Sequence, residues 1–484
     1  MRPADAPGIQ PRNSIAGDIM RMAGRVAAAI LILEDFERRR VPLKTALADW
    51  ARGARYAGAK DRAAIAGLCL DVLRRRRSLS AAIGDEGVRA TMLAHLRLFE
   101  GLSPDAVAAL AAEAPHGPGA LSEAEAARLS TLRAFERESA REGGAPNSVA
   151  SDFPAWLEGA VQRAFGGAAL SELAAFAARA DIDLRLNTLR TSPEKALAAL
   201  ETVGAAPAPF LKTAARIAAP TSEERAPAVT VIPAFNRGWV EVQDLGSQIA
   251  AAAAGEIGRA QVLDYCAGGG GKTLALASLM RGAGQLYAYD DDARRLQPLY
   301  ERARRAGVRN LQIINPSTDK AALAALEARM DVVFIDAPCT GAGTWRRHPD
   351  TKWRLSPQQL DRRIEEQDEV LRDAARFVKP GGRLVYATCS FLMEENEDRL
   401  AAFLLGHPAF VETRALDAVL ASGLLVEGAH EALARCETPN GALRLTPSRT
   451  RTDGFFIATL ERRQTEKTAA ARSMNQNAAT APSA

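Results

Sequence analysis

Apolar residues early in the chain recur with helical spacing. Ile65, Leu68, Cys69, Val72 and Leu73 share one face of a 3.6-residue turn, and the stretch from Ser14 to Leu132 shows little β-branched alternation. An all-helical domain over 14–132 is expected. Residues 133–152 are mostly polar and include Gly143, Gly144 and Pro146, which reads as a linker. Over 153–242, helical segments mix with strand-like pieces at Leu184 to Leu186 and Val229 to Ile232, an accessory α/β subdomain. The pattern then changes. Across 243–463, apolar strands at Val262 to Tyr265, Gln285 to Tyr289, Leu311 to Ile314, Asp331 to Ile335 and Arg383 to Ala387 alternate with helical stretches. That alternation predicts an α/β Rossmann-like core with a doubly wound, mostly parallel sheet. Such sheets bind ligands beyond the carboxyl ends of their strands. Residues 464–484 are rich in Ala, Thr, Ser and Asn and read as a disordered tail.

A chain of 484 residues exceeds one ordinary core, so two to three domains fit its length. No stretch approaches the roughly 18 uninterrupted apolar residues of a membrane span; the longest early run, Val26 to Leu33, lies between Arg25 and Glu34 and reads as a buried helix. The N-terminus lacks the form of a secretory signal. A cytoplasmic protein with no membrane partner is expected. Cys69, Cys266, Cys339, Cys389 and Cys436 are widely spaced, odd in number and without paired ligand spacing, so neither a disulfide framework nor a metal site is expected. The net charge is only +4, yet Arg21 to Arg77 holds fourteen Lys and Arg against six Asp and Glu, an excess of eight (14 − 6). Clustered cations gain affinity for polyanions by releasing counterions. A solvated helical face would carry the same charges.

The run Val262, Leu263, Asp264, Tyr265, Cys266, Ala267, Gly268, Gly269, Gly270, Gly271, Lys272, Thr273 is a strand entering a glycine loop and then a helix. Close backbone approach and open helix amides make this a nucleotide-like site. A phosphate loop needs Gly where Cys266 stands, and a dinucleotide fingerprint needs Gly or Ala where Thr273 stands. The remaining reading is an S-adenosylmethionine loop, spanning Cys266 to Lys272, with Asp290 at the end of the second strand as the ribose ligand. A plain turn and a helix cap are the bland readings of the glycines and of Asp290. Strand context on both sides favours the cofactor.

Two further strands end in thiols. Val332 to Ile335 runs into Asp336, Ala337, Pro338 and Cys339, and Leu384 to Ala387 runs into Thr388, Cys389 and Ser390, followed by Glu394, Glu395, Asn396 and Glu397. An isolated Cys is most often a small core hydrophobe, the reading that suits Cys69 and Cys436. Thiols at strand ends beside Gly, Pro and carboxylates fit that reading less well.

These residues resemble the RsmB/NOP/Sun family of RNA cytosine-5 methyltransferases. The glycine loop resembles its Cys-Ala-Ala-Pro-Gly-Gly-Lys-Thr motif, Asp336 to Cys339 its Asp-Ala-Pro-Cys motif, and Thr388 to Ser390 its Thr-Cys-Ser motif. Gln243, Asp244, Ser247, Gln248, Arg185, Asn187 and the run Asp453 to Phe456 also match. The stretch Arg346, Arg347, His348, Pro349, Asp350, Lys352 and Trp353 resembles the bacterial 16S rRNA branch, and Lys60, Asp61, Arg62 and the helix leading into Arg74 to Arg77 resemble its NusB-like RNA-binding domain. The resemblance implies a class I methyltransferase core, S-adenosylmethionine as cofactor and RNA, with 16S rRNA foremost, as substrate. It implies Cys389 as nucleophile, Cys339 as the residue assisting product release, and Asp336 holding the target cytosine beside the cofactor. No DNA partner is implied, because a DNA enzyme would place its nucleophile after Pro338. A monomer is the simplest state, as no coiled-coil seam is present.

The chain departs from the family pattern in two places. Gly269 replaces a Pro in the glycine loop, which keeps a permissive backbone. Pro316 stands where an Asp should bind the adenine amine, and its side chain cannot make that bond. This departure motivates one alternative, an RNA-binding or ribosome-assembly factor without catalysis; a transfer RNA methyltransferase is the other.

Overall fold

The computed structural model describes residues 15–132, 148–219 and 227–464, with side chains from residue 22 onward. The expected linker over 133–152 therefore lies outside the described residues up to residue 147, as does the expected tail beyond Gln464. The chain divides into two compact units, Met1–Glu158 with His348–Arg354, and Gly159–Arg347 with Leu355–Ala484.

The first unit is helical among the described residues: α1 (Ile15–Arg39), α2 (Leu43–Gly53), α3 (Ala59–Arg74), α4 (Arg76–Ile83), α5 (Val88–Leu98), α6 (Pro104–Ala112) and α7 (Glu123–Thr131). The helical apolar spacing is what they bury: Ile65, Cys69, Val72 and Leu73 of α3 face Val26, Ala29, Ile30 and Leu33 of α1 in one core. Local chemistry sets the starts of the later helices. Ser103 accepts the Ala106 amide ahead of Pro104, and Ser122 and Glu125 form a reciprocal capping box. The segment His348–Arg354 belongs to this unit although it follows the Cys339 loop in sequence. There Lys352 Nζ donates to the carbonyls of Arg74 (3.0 Å) and Asp152 (2.6 Å), and Trp353 Nε1 donates to Leu73 O (2.6 Å). An ammonium on the last carbonyls of α3 also complements that helix's dipole.

The second unit carries two sheets. The smaller is antiparallel in the order β2-β3-β1-β4, formed by β1 (Ile182–Leu186), β2 (Ala206–Pro207), β3 (Ala214–Ile217) and β4 (Val240–Val242). The expected strand at Val229 to Ile232 is instead a single 3₁₀ turn, Val229–Val231. Pro227 and Pro233 flank it, and a proline supplies no amide to a ladder, so β-branched residues there gain no strand partner.

The larger sheet comprises β5 (Gln261–Asp264), β6 (Gln285–Tyr289), β7 (Leu311–Ile314), β8 (Met330–Asp336), β9 (Val378–Thr388), β10 (Phe410–Thr413), β11 (Leu443–Leu445) and β12 (Phe455–Arg462). Its order is β10-β12-β9-β8-β5-β6-β7, with β11 on β12; β5 to β9 pair in parallel and β10 and β12 antiparallel. Strands covered on both faces read as continuous apolar runs, and Val332 and Phe334 enter one core while Val333 and Ile335 enter the other. β9 begins five residues ahead of the apolar run that marks it, because Lys379 to Gly382 form an irregularity in the β8 pairing, with Gly381 at φ 75°. The strand order reverses between β5 and β8, so the loops after β5, β6, β8 and β9 share one carboxyl edge at a topological switch point. Among the described residues, no helix is long and apolar enough to cross a membrane.

Candidate active site

The glycine loop leaves β5 and opens the helix Gly271–Leu279. Gly270 is required by geometry twice over: its φ is 82°, and a Cβ there would lie 2.2 Å from Leu299 Cδ1. The Ala267 amide donates to Tyr289 O at 2.9 Å, and the Gly268 amide to Asp290 Oδ2 at 3.0 Å, so the loop is tied to the end of β6. Arg302 donates to Gly269 O and pairs with Glu241 at 3.2 Å. Beyond the loop, the first helix amides have no intrahelical partner and stay available to a ligand. Cys266 packs against the core, and burial pushes its thiol well up.

Asp290 is 4% exposed. It accepts the Gly268 amide on Oδ2 and the Asp292 amide, at 3.1 Å, on Oδ1. Arg295 Nη1 also lies 3.6 Å from Oδ1 and the Asp291 side chain bonds the carboxyl; both of these partners are exposed side chains that vicinal hydroxyls can displace, whereas the two amides are fixed. Burial raises its carboxyl despite those donors. At β7 the carboxylate nearest the departure from the family pattern is already engaged: Asp319 accepts from the Asn315 amide (3.0 Å) and Thr318 Oγ1 (3.0 Å) within its own turn.

The structure brings the other predicted residues together. Cys339 Sγ and Cys389 Sγ are 3.3 Å apart. Lys272 Nζ lies 2.7 Å from Asp336 Oδ2, and the Lys272 side chain is 9% exposed against 36% for Asp336, so the pair opens on its carboxylate side. Burial alone would pull the Lys272 ammonium down; Asp336, with Cys389 and Asp264, more than reverses it. Lys272 is thus a fixed cation on the carboxylate, within electrostatic reach of Cys389. The thiol of Cys339 is pushed well up by its bond to Cys389, by burial and by Glu395.

Three contacts set the thiol spacing. Ala337 N donates to Ala387 O at 2.9 Å, Gly343 N to Cys389 O at 2.9 Å, and Gly454 N to Gly343 O at 2.7 Å. The loop following Cys339 is thereby laced to the end of β9 and to the segment entering β12. Arg346 and Arg347 hold the far end of that loop on Asp244 and Asp453, with Arg347 Nη2 2.8 Å from Asp244 Oδ2. The sequence reading passed over Glu395, Gln367, Thr340 and Gly343. Its one signal was the acidic stretch after Cys389, within which Glu395 is fully buried.

A family model described as 16S rRNA methyltransferase RsmB/F matches residues 255–461. A relative from Xanthomonas campestris, named ribosomal RNA small subunit methyltransferase B, is 31% identical over 79% of this chain and 88% of its own. One from Synechocystis, named probable ribosomal RNA small subunit methyltransferase B, is 31% identical over 64% of this chain and 67% of its own. Among solved structures, the protein PH0851 aligns with a TM-score of 0.65 and 25% identity over 92% of this chain and 98% of that one. A methyltransferase homologue from Pyrococcus horikoshii aligns with a TM-score of 0.50 and 25% identity over 65% and 96%. S-adenosylmethionine is the methyl donor of such enzymes, and the residues present fit it: a helix start for the carboxylate end and a buried aspartate, fixed by two backbone amides, to accept from the ribose. The chain belongs to the 16S rRNA methyltransferase RsmB/F family, within the RsmB/NOP/Sun group.

Proposed function

We propose that this protein methylates carbon 5 of a cytosine in RNA, with small-subunit ribosomal RNA as the substrate, through a covalent adduct on Cys389. The observation that carries the reading is the pair of thiols 3.3 Å apart beside the Lys272–Asp336 pair, at the edge where the glycine loop and Asp290 also lie. The relatives named above support the choice of ribosomal RNA.

Carbon 5 of cytosine is a poor nucleophile. Addition of the Cys389 sulfur to carbon 6 forms an S–C6 bond and pushes the ring electrons toward N3 and carbon 5. Asp336, the exposed member of the ion pair, takes the Cys389 thiol proton as that sulfur attacks and, now a carboxylic acid, donates it to N3, neutralising the charge that develops there; the proton returns by the same route to the departing sulfur. Lys272 holds the Asp336 carboxylate in place and supplies a positive field beside the forming adduct. Bound S-adenosylmethionine provides the electrophilic methyl group. The C5 proton then leaves to water, its electron pair restores the C5–C6 double bond, and the S–C6 pair returns to Cys389. Cys339, held as a thiol, hydrogen-bonds the departing sulfur.

The helical first unit resembles a NusB-like RNA-binding domain and is assigned RNA contact. Part of its basic excess has local work, since Arg74 is buried beside Asp71 and Arg76 pairs with Glu37. Arg40, Lys44, Arg55 and Lys60 are exposed.

The test compares wild type, Cys389→Ala and Cys339→Ala with methyl-labelled S-adenosylmethionine and unmodified small-subunit ribosomal RNA. Label transfer and denaturant-resistant protein–RNA adduct are both followed. Cys389→Ala is expected to abolish both, and Cys339→Ala to accumulate adduct. Failure of wild type to transfer label to ribosomal or transfer RNA would sink the catalytic reading and leave an RNA-binding factor.

A further inference from the structure

The two thiols are not supported alike. Cys389 follows β9 directly, and the β12 ladder runs to Phe456 opposite Thr388. Cys339 lies beyond the end of β8, between the two backbone bonds to the β9 side made by Ala337 and Gly343. Between those bonds, side chains hold the backbone. Gln367 Nε2 donates to Pro338 O at 2.9 Å, the residue before Cys339. Thr340, the residue after it, donates its amide to Glu395 Oε1 at 2.7 Å and its hydroxyl to Glu395 Oε2 at 2.6 Å. Gln367 Nε2 also reaches Glu395 Oε1 at 3.1 Å, and Tyr386 Oη donates to the Glu395 carbonyl at 2.8 Å.

Glu395 and Gln367 are both fully buried. A carboxylate is costly to bury, and it is tolerated where each oxygen accepts from a fixed donor, as here. An amide–carboxylate pair of this kind serves no packing purpose that a pair of apolar side chains would not serve as well. What it does is tie both neighbours of Cys339 in the chain, with one further bond to the side chain of Ser390, the residue after Cys389. Its charge also favours the protonated form of Cys339, the form that can donate to a departing sulfur.

We propose that Glu395, bridged by Gln367, is the positioning residue for Cys339, holding its thiol against Cys389 for the release step and contributing little to the attack. The proposal rests on the two-cysteine reading above. Glu395 touches no reacting atom in this arrangement; three bonds of the Glu395–Gln367 pair act on the residues either side of Cys339, against one to the Ser390 side chain on the Cys389 side.

The experiment uses full-length Glu395→Gln and Thr340→Val beside Cys339→Ala, each checked for an unchanged thermal midpoint. Single-turnover label transfer, multiple turnover and denaturant-resistant adduct are measured on the same RNA. Glu395→Gln is expected to keep single-turnover transfer within about twofold, lose roughly tenfold in multiple turnover, as loss of a hydrogen bond to a charged group implies, and accumulate adduct. Thr340→Val, which removes one of the donors to Glu395 and a long bond from the Ala342 amide, should show the same pattern more weakly. Wild-type turnover in both variants overturns the proposal, as does loss of single-turnover transfer without adduct in a variant that keeps its thermal midpoint; where Glu395→Gln does not fold, Thr340→Val decides by the same two criteria. If Cys339→Ala itself accumulates no adduct while wild type transfers label, the two-cysteine reading is what has failed, and this role for Glu395 falls with it.

Discussion

Cys339 Sγ and Cys389 Sγ stand 3.3 Å apart although fifty residues separate them in the chain. A disulfide needs about 2.05 Å between sulfurs, so a movement of about 1.3 Å would join them. Treatment with a peroxide should therefore convert the two thiols and one peroxide into a disulfide and two waters. Mass mapping under non-reducing conditions should find the peptides containing Cys339 and Cys389 linked and two hydrogens lighter, with label transfer abolished and then restored by dithiothreitol. Separate sulfenic or sulfinic acids without a cross-link would show that the sulfurs do not meet in solution.

The spacing of those thiols depends on a backbone approach that admits no side chain. A Cβ on Gly343 would lie 2.0 Å from Gly454 O and 2.8 Å from Cys389 O, both main-chain atoms that cannot rotate away. Gly343→Ala should push the Cys339 loop off the end of β9. Overpacking of this kind costs about 1–3 kcal/mol, to be read from denaturant midpoints, and label transfer should fall by more than about tenfold, as expected when reacting groups are misplaced. An alanine variant with wild-type stability and transfer would mean that the backbone there relaxes freely.

The parallel core was legible because its strands are buried on both faces and so appear as unbroken apolar runs, as at Val332 to Ile335. The glycine loop was legible because few chemistries place Gly268 to Gly271 between a strand and a helix. Periodicity failed at Val229 to Ile232, where flanking prolines outweigh β-branched propensity. It also failed at His348–Arg354, whose packing against the carbonyls of α3 is a long-range fact without local pattern. Glu395 lay among four polar residues, Glu394 to Glu397, of which Glu395 and Asn396 turn inward, and no local rule singles them out. For Glu395 that depends on Thr340 and Gln367 offering donors, and neither is near it in the chain.

Asp264 ends β5 fully buried, and burial pushes its carboxyl up to about 7, against the bond from Thr273 Oγ1 at 2.7 Å. Its folded pKa therefore lies above its unfolded one. Its contribution to stability is complete below the ordinary carboxylate pKa and is lost progressively as pH rises toward 7, because the unfolded chain gives up its proton first. The slope is about 1.4 kcal/mol per pH unit, so the loss across the window is on the order of a few kcal/mol. Asp264→Asn removes the titration while keeping an acceptor for Thr273. Measured by denaturant unfolding, the variant should gain on wild type between pH 5 and pH 8. An unchanged difference between the two proteins across that range would contradict the assignment.

The helical unit supplies the last expectation, because exposure separates cations with local partners from those facing solvent. Arg55 and Lys60 are exposed at the connection between α2 and α3, Lys44 is exposed at the start of α2, and Tyr56 at that connection is 86% exposed. Exposed cations next to an exposed aromatic ring match what single-stranded RNA needs, namely charge for phosphates and a face for stacking. The two contributions differ in their response to salt. Replacing Lys44, Arg55 and Lys60 together by Gln should weaken binding and reduce the slope of log K against log salt by about 0.7 for each phosphate that is no longer neutralised. Tyr56→Ala should weaken binding by about 1–3 kcal/mol with the slope unchanged, since stacking releases no counterions. Binding isotherms on a ribosomal RNA fragment at several salt concentrations separate the two. If the triple variant keeps both affinity and slope, this face does not carry RNA, and the basic excess of the first unit is a solvated helical surface.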